Sequence, residues 1–564
     1  MPGIRVVGVA FVLAAVMPTA VMPALAAGQT PAAPPQPGTQ KVVTATASVR
    51  GRVVDTNGVP VRSAEVRLNA TDGRDNRVTT SDVGGQFEIR DLTPGQWNLR
   101  ASKPGFVTQS ASQMSPLDQD RPITIANGQR LTTDVVLSRA GTISGRVVDA
   151  AGDPLVDIQV MALRVRTIQG RRQLTTAGVA DMTDDTGSFR LYSLPPGSYY
   201  VGAMATRQTR IEVVNAVTRL SDLPVDEIAY YYPGIHDIEA AQIIEIPAGQ
   251  EQSGISLVAP PPIKGVTVSG RVINASGFAA ERPRVHVRPR GGVVTGSLTR
   301  GLASSDATGR FNIRNIPPGD YVVDAEIPTV TAMSAEHGSL AISVGSSDVN
   351  DLVVTTTGPR VLRGELVSDA NTPLPAGFRA SITVESPERT MGGMSRVEMP
   401  LAGTFPIPGV IGVHAIRIES LPPGWMVRSI ELGGQDISNG PFDFSNVPAS
   451  ATLRVVLTDR VGELAGQVTS RTRQRQAAIV VFPDDESKWR YPARLVSVGR
   501  SDEQGRYAIP GLLANAEYRA VAVSYLESEE SQDPAFLAKM RSSAVRFELR
   551  EGERKTLDLP LIQR

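Results

Sequence analysis

GRVVDAAGDPL at residues 145–155, DDTGSF at 184–189 and LPPGSY at 194–199 form a sequence unit that recurs along the chain. An earlier copy reads GRVVDTNGVPV at 51–61, DVGGQF at 82–87 and LTPGQW at 92–97; a later one reads GRVIN at 270–274, DATGRF at 306–311 and IPPGDY at 316–321. A period of roughly one hundred residues is too long for a solenoid and fits a series of small domains, each closing its own core. Within the first unit, AEVRLNA at 64–70 sets Ala64, Val66 and Leu68 against Glu65, Arg67 and Asn69, the period of two of a half-buried strand. The acidic turn predicts a hairpin, with Asp184 bonding the turn backbone and Gly187 in a conformation other residues avoid. LPPGSY predicts a type II turn, with Pro196 at its first central position and Gly197 at positive φ. Both motifs read first as punctuation between strands, and the fold expected is all-β.

The 564 residues suit about four to five domains. Two weaker copies complete the series. One opens with Gly364-Glu365-Leu366-Val367 and keeps LPPGW at 421–425; the other opens with LAGQV at 464–468 and has Asp502, Gly505 and Tyr507 in the turn positions. The division expected is a signal peptide at 1–26, a Pro/Ala-rich linker at 27–46, and sandwiches at 47–139, 140–259, 264–357, 358–458 and 459–562. The second carries an insertion at 207–247 and the fourth is degenerate. The last holds one short helix near 533–543, where Asp533 suits an N-cap and Pro534 the first turn, and this helix is expected across one end of the sandwich.

Lys plus Arg and Asp plus Glu both number 57, so no net field draws nucleic acid or an anionic membrane. The 52 glycines and 42 prolines belong to turns and exceed what a helical protein tolerates. Zero cysteines exclude disulfides, thiol catalysis and a lipidated N-terminal cysteine. MPGIR followed by VVGVAFVLAAVM and Ala24-Leu25-Ala26 reads as a secretory signal, the alternative being a retained anchor. With no later stretch long and apolar enough for a span, the expected location is periplasmic or extracellular, including the cell surface.

At GRVVDxxGxPV (51–61), GRVVDAAGDPL (145–155) and the paired DxxGxF and LPPGxY motifs, the chain resembles tandem carboxypeptidase regulatory-like domains, relatives of collagen-adhesin B-type repeats and of the transthyretin-like sandwich. The resemblance implies tandem antiparallel immunoglobulin-like or transthyretin-like β-sandwiches, secretion, and an accessory or adhesive role, with carbohydrate binding at the level of the superfamily. Collagen-adhesin repeats cross-link a first-strand lysine to Asn or Asp. Lys41, Lys103, Lys264, Lys488, Lys539 and Lys555 all lie outside the opening strands, so no such bond is expected.

His236-Asp237-Ile238-Glu239 matches the HxxE pair of zinc carboxypeptidases, with His337 as a conceivable third ligand, but a series of sandwiches leaves no room for the catalytic fold. No enzyme activity, metal or cofactor is expected. Glu527, Glu529, Glu530 and Asp533 in LESEESQDP lack the spacing of a calcium loop. Trp97, Tyr199, Tyr321 and Trp425 share one repeated place and read as core. Consecutive Tyr230, Tyr231 and Tyr232 cannot all point inward on a strand, and Trp489 and Tyr491 lie in the charged loop FPDDESKWRYP. These five are the candidate ligand residues, as faces on which a sugar ring stacks. The function expected is an elongated, exported, nonenzymatic binding protein of the cell envelope, most concretely a polysaccharide binder using loops. The alternative is a structural spacer or protein adhesin without a small-ligand site. The partner is accordingly a polysaccharide or an envelope protein.

Overall fold

The computed structural model describes residues 46–564 except 206–208, 215–216, 223–228, 262–264, 291–300, 304, 329–334, 359, 370–372, 376–377, 386–393, 401–403, 409, 411, 449, 471–475 and 492. The expected signal peptide, the linker up to residue 45, Lys41, Lys264 and parts of the 207–247 insertion lie outside the described residues.

The first copy of the repeat shows how the sequence builds the fold. Its opening strand Ala47–Asp55 buries Ala47, Val49 and Val53. It pairs antiparallel with Gln86–Leu92 and parallel with Arg130–Thr132 and Val135–Leu137. The facing sheet runs Asn76–Thr80, Glu65–Ala70, Gly95–Ser102, Gln109–Ser110. Val66 and Leu68 are fully buried between the sheets, as the alternation requires. Separate hydrophobic cores recur within 47–137, 143–257, 266–354, 362–457 and 464–559. The fold is all-β, mostly antiparallel, with one α-helix among the described residues, Pro534–Arg541. Each opening strand also takes a parallel neighbour, because the last strand of each unit returns beside it.

That parallel return explains the invariant place of one glycine. A Cβ added to Gly51, Gly145, Gly270 or Gly466 would overlap the carbonyl oxygen of Thr133, Ile255, Leu352 or Leu557. Close backbone approach fixes glycine at the head of the first three opening motifs, and Gly466 adds a positive φ of 156°.

The turn motifs do something different from what their spelling suggests. In the first and third units the acidic turn joins strands that belong to opposite sheets, so it is an arch and not a hairpin. Its Asp acts as expected: Asp184 Oδ1 accepts from the N–H groups of Thr186 and Ser188 at 2.9 Å each, and Asp82, Asp306 and Asp502 repeat the arrangement. LPPGxY is no type II turn, since Gly95, Gly197 and Gly319 stand at φ 158°, 154° and 154°. The left-handed residue comes earlier, at Asp91, Ser193 and Asn315, with φ 57°, 61° and 60°. There two residues oppose one on the opening strand, a β-bulge that bends the chain toward the second sheet. Crossing between sheets, rather than reversing within one, is the physical reason for the difference.

The helix has the expected cap, Asp533 Oδ1 accepting from Ala535 N at 2.9 Å, and buries Phe536, Leu537 and Met540. It covers a face of the sandwich, not an end. Strand Ala478–Pro483 is buried at every position, because Ala478, Val480 and Phe482 point away from the central core into a second one roofed by the helix and Trp489.

Candidate functional site: grooves on the outer sheet faces

Four of the five aromatic candidates, Tyr230, Tyr231, Trp489 and Tyr491, are buried in the protein, and Tyr232 is half-buried. Tyr230 joins the core of the second unit, while Tyr231 points to the opposite face, as two consecutive strand residues must. That outer face is roofed by Ala229 and Ile238 from the insertion, and Tyr231 is 2% exposed. Burial pushes its hydroxyl up to about 12. Tyr232 is half-buried against the inner core. Trp489 is 2% exposed, packs edge-on against Phe482 at 5.6 Å, and donates from Nε1 to Pro483 O at 2.7 Å. Tyr491 is buried, its hydroxyl donating to Glu385 at 2.6 Å. Burial and the Glu385 carboxylate raise its pKa, against a smaller opposing pull from Arg417. Pointing outward and facing solvent are separate properties in sandwiches whose outer faces carry a second layer.

The other candidates have structural employment as well. His236 Nδ1 lies 3.2 Å from Ala229 O, Asp237 caps a short 3₁₀ turn, and Glu239 is exposed. His337 sits in strand Glu336–Val344 bridged to Thr357. Among the described residues, no group of three or more His, Asp or Glu side chains is placed to hold a metal. Glu527 pairs with Arg164, Glu529 accepts from Gln169 N, Glu530 pairs with Arg564 and Asp533 caps the helix.

Open concavities instead recur at one equivalent place on the first three units. They lie on the outer face of the sheet carrying the opening strand, with volumes of about 990, 720 and 710 Å³. Each is floored by the opening-strand glycine and the Phe after the acidic turn: Gly51 and Phe87, Gly145 and Phe189, Gly270 and Phe311. Each is walled by the next Arg and the turn Asp: Arg52 and Asp82, Arg146 and Asp184, Arg271 and Asp306. The same glycine thus marks both the close backbone approach and the place of the groove.

Charge balances within each groove. The second has Arg146 and Arg190 against Asp181 and Asp184; the third has Arg271 and Arg310 against Asp306 and Asp351. In the first, Arg50, Arg52, Arg90 and Arg130 face Asp82, Glu88, Asp91 and Asp134. The Asp184 carboxyl is held below its ordinary range by the Thr186 hydroxyl and by the backbone N–H groups of Ser188 and Thr186; the Thr308 hydroxyl and Arg310 N–H do the same for Asp306.

A polar row runs from the second groove to Glu251, which lies outside its lining. Arg190 N donates to Asp181 at 2.7 Å, Arg190 also lies 3.9 Å from Glu251, and Ser144 Oγ donates to Glu251 at 2.8 Å. Tyr192 stands two residues beyond Arg190 on the same face, opposite Val179, and is 45% exposed. It occupies the first position of the bulge, where the strand bends its side chain outward. Tyr192 was missed in the sequence, although the alternation of FRLYSL, with Phe189, Leu191 and Leu194 buried, already turns it away from the core.

No helix among the described residues is long and apolar enough to cross a membrane. The carboxypeptidase regulatory-like domain family matches residues 48–138 and 142–223. Among curated proteins, halomucin of Haloquadratum walsbyi is 24% identical over 213 residues, 36% of this chain and 2% of that protein. The chain thus spans only a small part of that relative. Among solved structures, the TIE protein of Bacillus anthracis aligns over 83% of this chain and 71% of its own at 12% identity and a TM-score of 0.15. GBS52, the minor pilin of Streptococcus agalactiae, aligns over 38% of this chain and 98% of its own at 12% identity and a TM-score of 0.20. At these scores neither likeness carries an argument about function. The paired matches show two tandem carboxypeptidase regulatory-like domains at residues 48–138 and 142–223.

Proposed function

We propose that the chain is an exported, nonenzymatic binding protein of the cell exterior or periplasm, built of five sandwiches with the boundaries given above, and that the first three hold a neutral polysaccharide on their outer sheet faces. The observation that carries this reading is the recurrence of the charge-balanced groove. Matched donors and acceptors suit a ligand rich in hydroxyl groups, whereas an anionic polymer would favour an excess of arginine. Tyr192 supplies an aromatic face for a sugar ring beside the second groove. The binding surface is then the sheet face instead of the loops. Export is supported by the charged start, apolar run and Ala-Leu-Ala pattern at the N-terminus.

The test compares neutral polysaccharides such as dextran, xylan and laminarin with anionic alginate, using the full chain in affinity electrophoresis. Retardation by a neutral polymer, weakened at least several-fold in Y192A and in R52A/R146A/R271A, is expected. Retardation only by alginate, or by none of the four, overturns the proposal.

A further inference from the structure

The described residues form one compact unit, and sandwiches distant in sequence meet on the fifth. The first joint reaches furthest. Arg500, in strand Ser497–Arg500, pairs with Asp118 of the first sandwich, whose side chain is fully buried. The same carboxylate accepts from Leu526 N at 3.2 Å, and Gln119 N donates to Leu526 O at 3.0 Å.

The second joint uses the long hairpin of Ile158–Ile168 and Arg171–Met182. Arg164 on this hairpin pairs with Glu527 at 2.8 Å, the two side chains being 17% and 14% exposed. At its tip Gln169 N donates to Glu529 at 2.7 Å, and a Cβ at Gly170 would overlap Tyr491. The third joint is the Tyr491 hydroxyl on Glu385 of the fourth sandwich, flanked by Arg494, which donates to Val427 O and Arg428 O at 2.7 and 2.8 Å.

We infer that the fifth sandwich is an intramolecular clasp: its loops 484–496 and 524–533 hold the first, second and fourth sandwiches in one fixed arrangement, so the molecule is not a flexible string. The chemistry of the joints supports this. A string of independent domains keeps its charges solvated at each surface, because an unpaired buried charge is costly. Here Asp118, Glu527 and Arg164 are largely buried and their charge partners are supplied across the joints, while Glu385, beside Arg417 of its own sandwich, also accepts the Tyr491 hydroxyl across the third joint. These same loops are the parts of the fifth unit that differ most from the other copies.

Small-angle scattering and limited trypsin digestion of the full chain test the clasp. Reversing two joint charges in R164E/R500E shifts the pair-distance distribution to longer maximum dimension and opens new cleavage between sandwiches, with the far-ultraviolet β signal retained. The charge-keeping pair R164K/R500K, which leaves a cation opposite Glu527 and Asp118, scatters as wild type. The inference is overturned if wild-type protein already scatters as an extended string, or if R164E/R500E scatters as wild type. Should R164E/R500E lose its β signal, the milder R164A/R500A decides: an opened particle with the β signal retained supports the clasp and wild-type scattering overturns it.

Discussion

Gly145 shows how one atom's absence shapes this protein. Its missing Cβ lets the carbonyl of Ile255 approach the opening strand, at the place where the second groove is lined by Gly145 itself. Gly145→Ala must push two backbones apart, at a cost of about 1–3 kcal/mol for an overpacked site. Calorimetry of the full chain is expected to show one transition moved down; an unchanged profile would mean the strands can slide apart freely. The turn aspartates predict a pH dependence. Asp184 and Asp306 are lowered chiefly by Thr hydroxyls, and Asp502 chiefly by the backbone N–H of Arg506. A carboxyl whose folded pKa lies below its unfolded value adds stability above that unfolded value, about 3.9, and loses it as pH falls through the folded pKa. The thermal midpoint should therefore drop below about pH 4, and more shallowly in D184N/D306N/D502N, where an amide oxygen still accepts but does not titrate. A parallel pH profile in the triple variant would refute this assignment. The Asp role was legible from spelling alone, because an Asx turn needs only local backbone.

At the scale of elements, the strands and the helix were readable, but their connections were not. Alternation in AEVRLNA places Val66 and Leu68 inward whatever the partner strand. DxxGxF and LPPGxY spell turns, yet whether a turn stays in one sheet or crosses to the other depends on where the next strand finds its partner. The doubled layers were hidden for the same reason. Trp489 sits in a stretch rich in charge, and only the neighbouring Phe482, Val521 and helix make it a core residue. Trp489→Ala is expected to cost about 3–5 kcal/mol, read by denaturant unfolding with tryptophan-independent circular dichroism. A loss below about 1 kcal/mol would show that the outer layer contributes little.

At the scale of the whole molecule, the clasp and the grooves bear on each other. The first and second sandwiches are both joined to the fifth, so their grooves hold a set spacing and orientation. A polymer able to reach both would gain from linkage without new contacts, provided its repeat matches that spacing. Long chains of the retarding polysaccharide are then expected to bind at least tenfold more tightly than a short oligomer, measured by calorimetric titration, and R164E/R500E should erase that difference while leaving oligomer affinity intact. Equal affinities for long and short chains would show that the grooves act singly.

The sequence by itself determined the repeat, the alternation, the capped turns and the helix, because each depends on neighbours a few residues away. The tertiary structure decided which sheet each strand enters, which outward aromatics are roofed, and that Asp118 meets Arg500. Those outcomes rest on contacts between residues hundreds of positions apart, whose burial no local pattern encodes. Even Tyr192, outward by alternation and solvent-exposed in the fold, gained its interest only when the structure set it beside a groove.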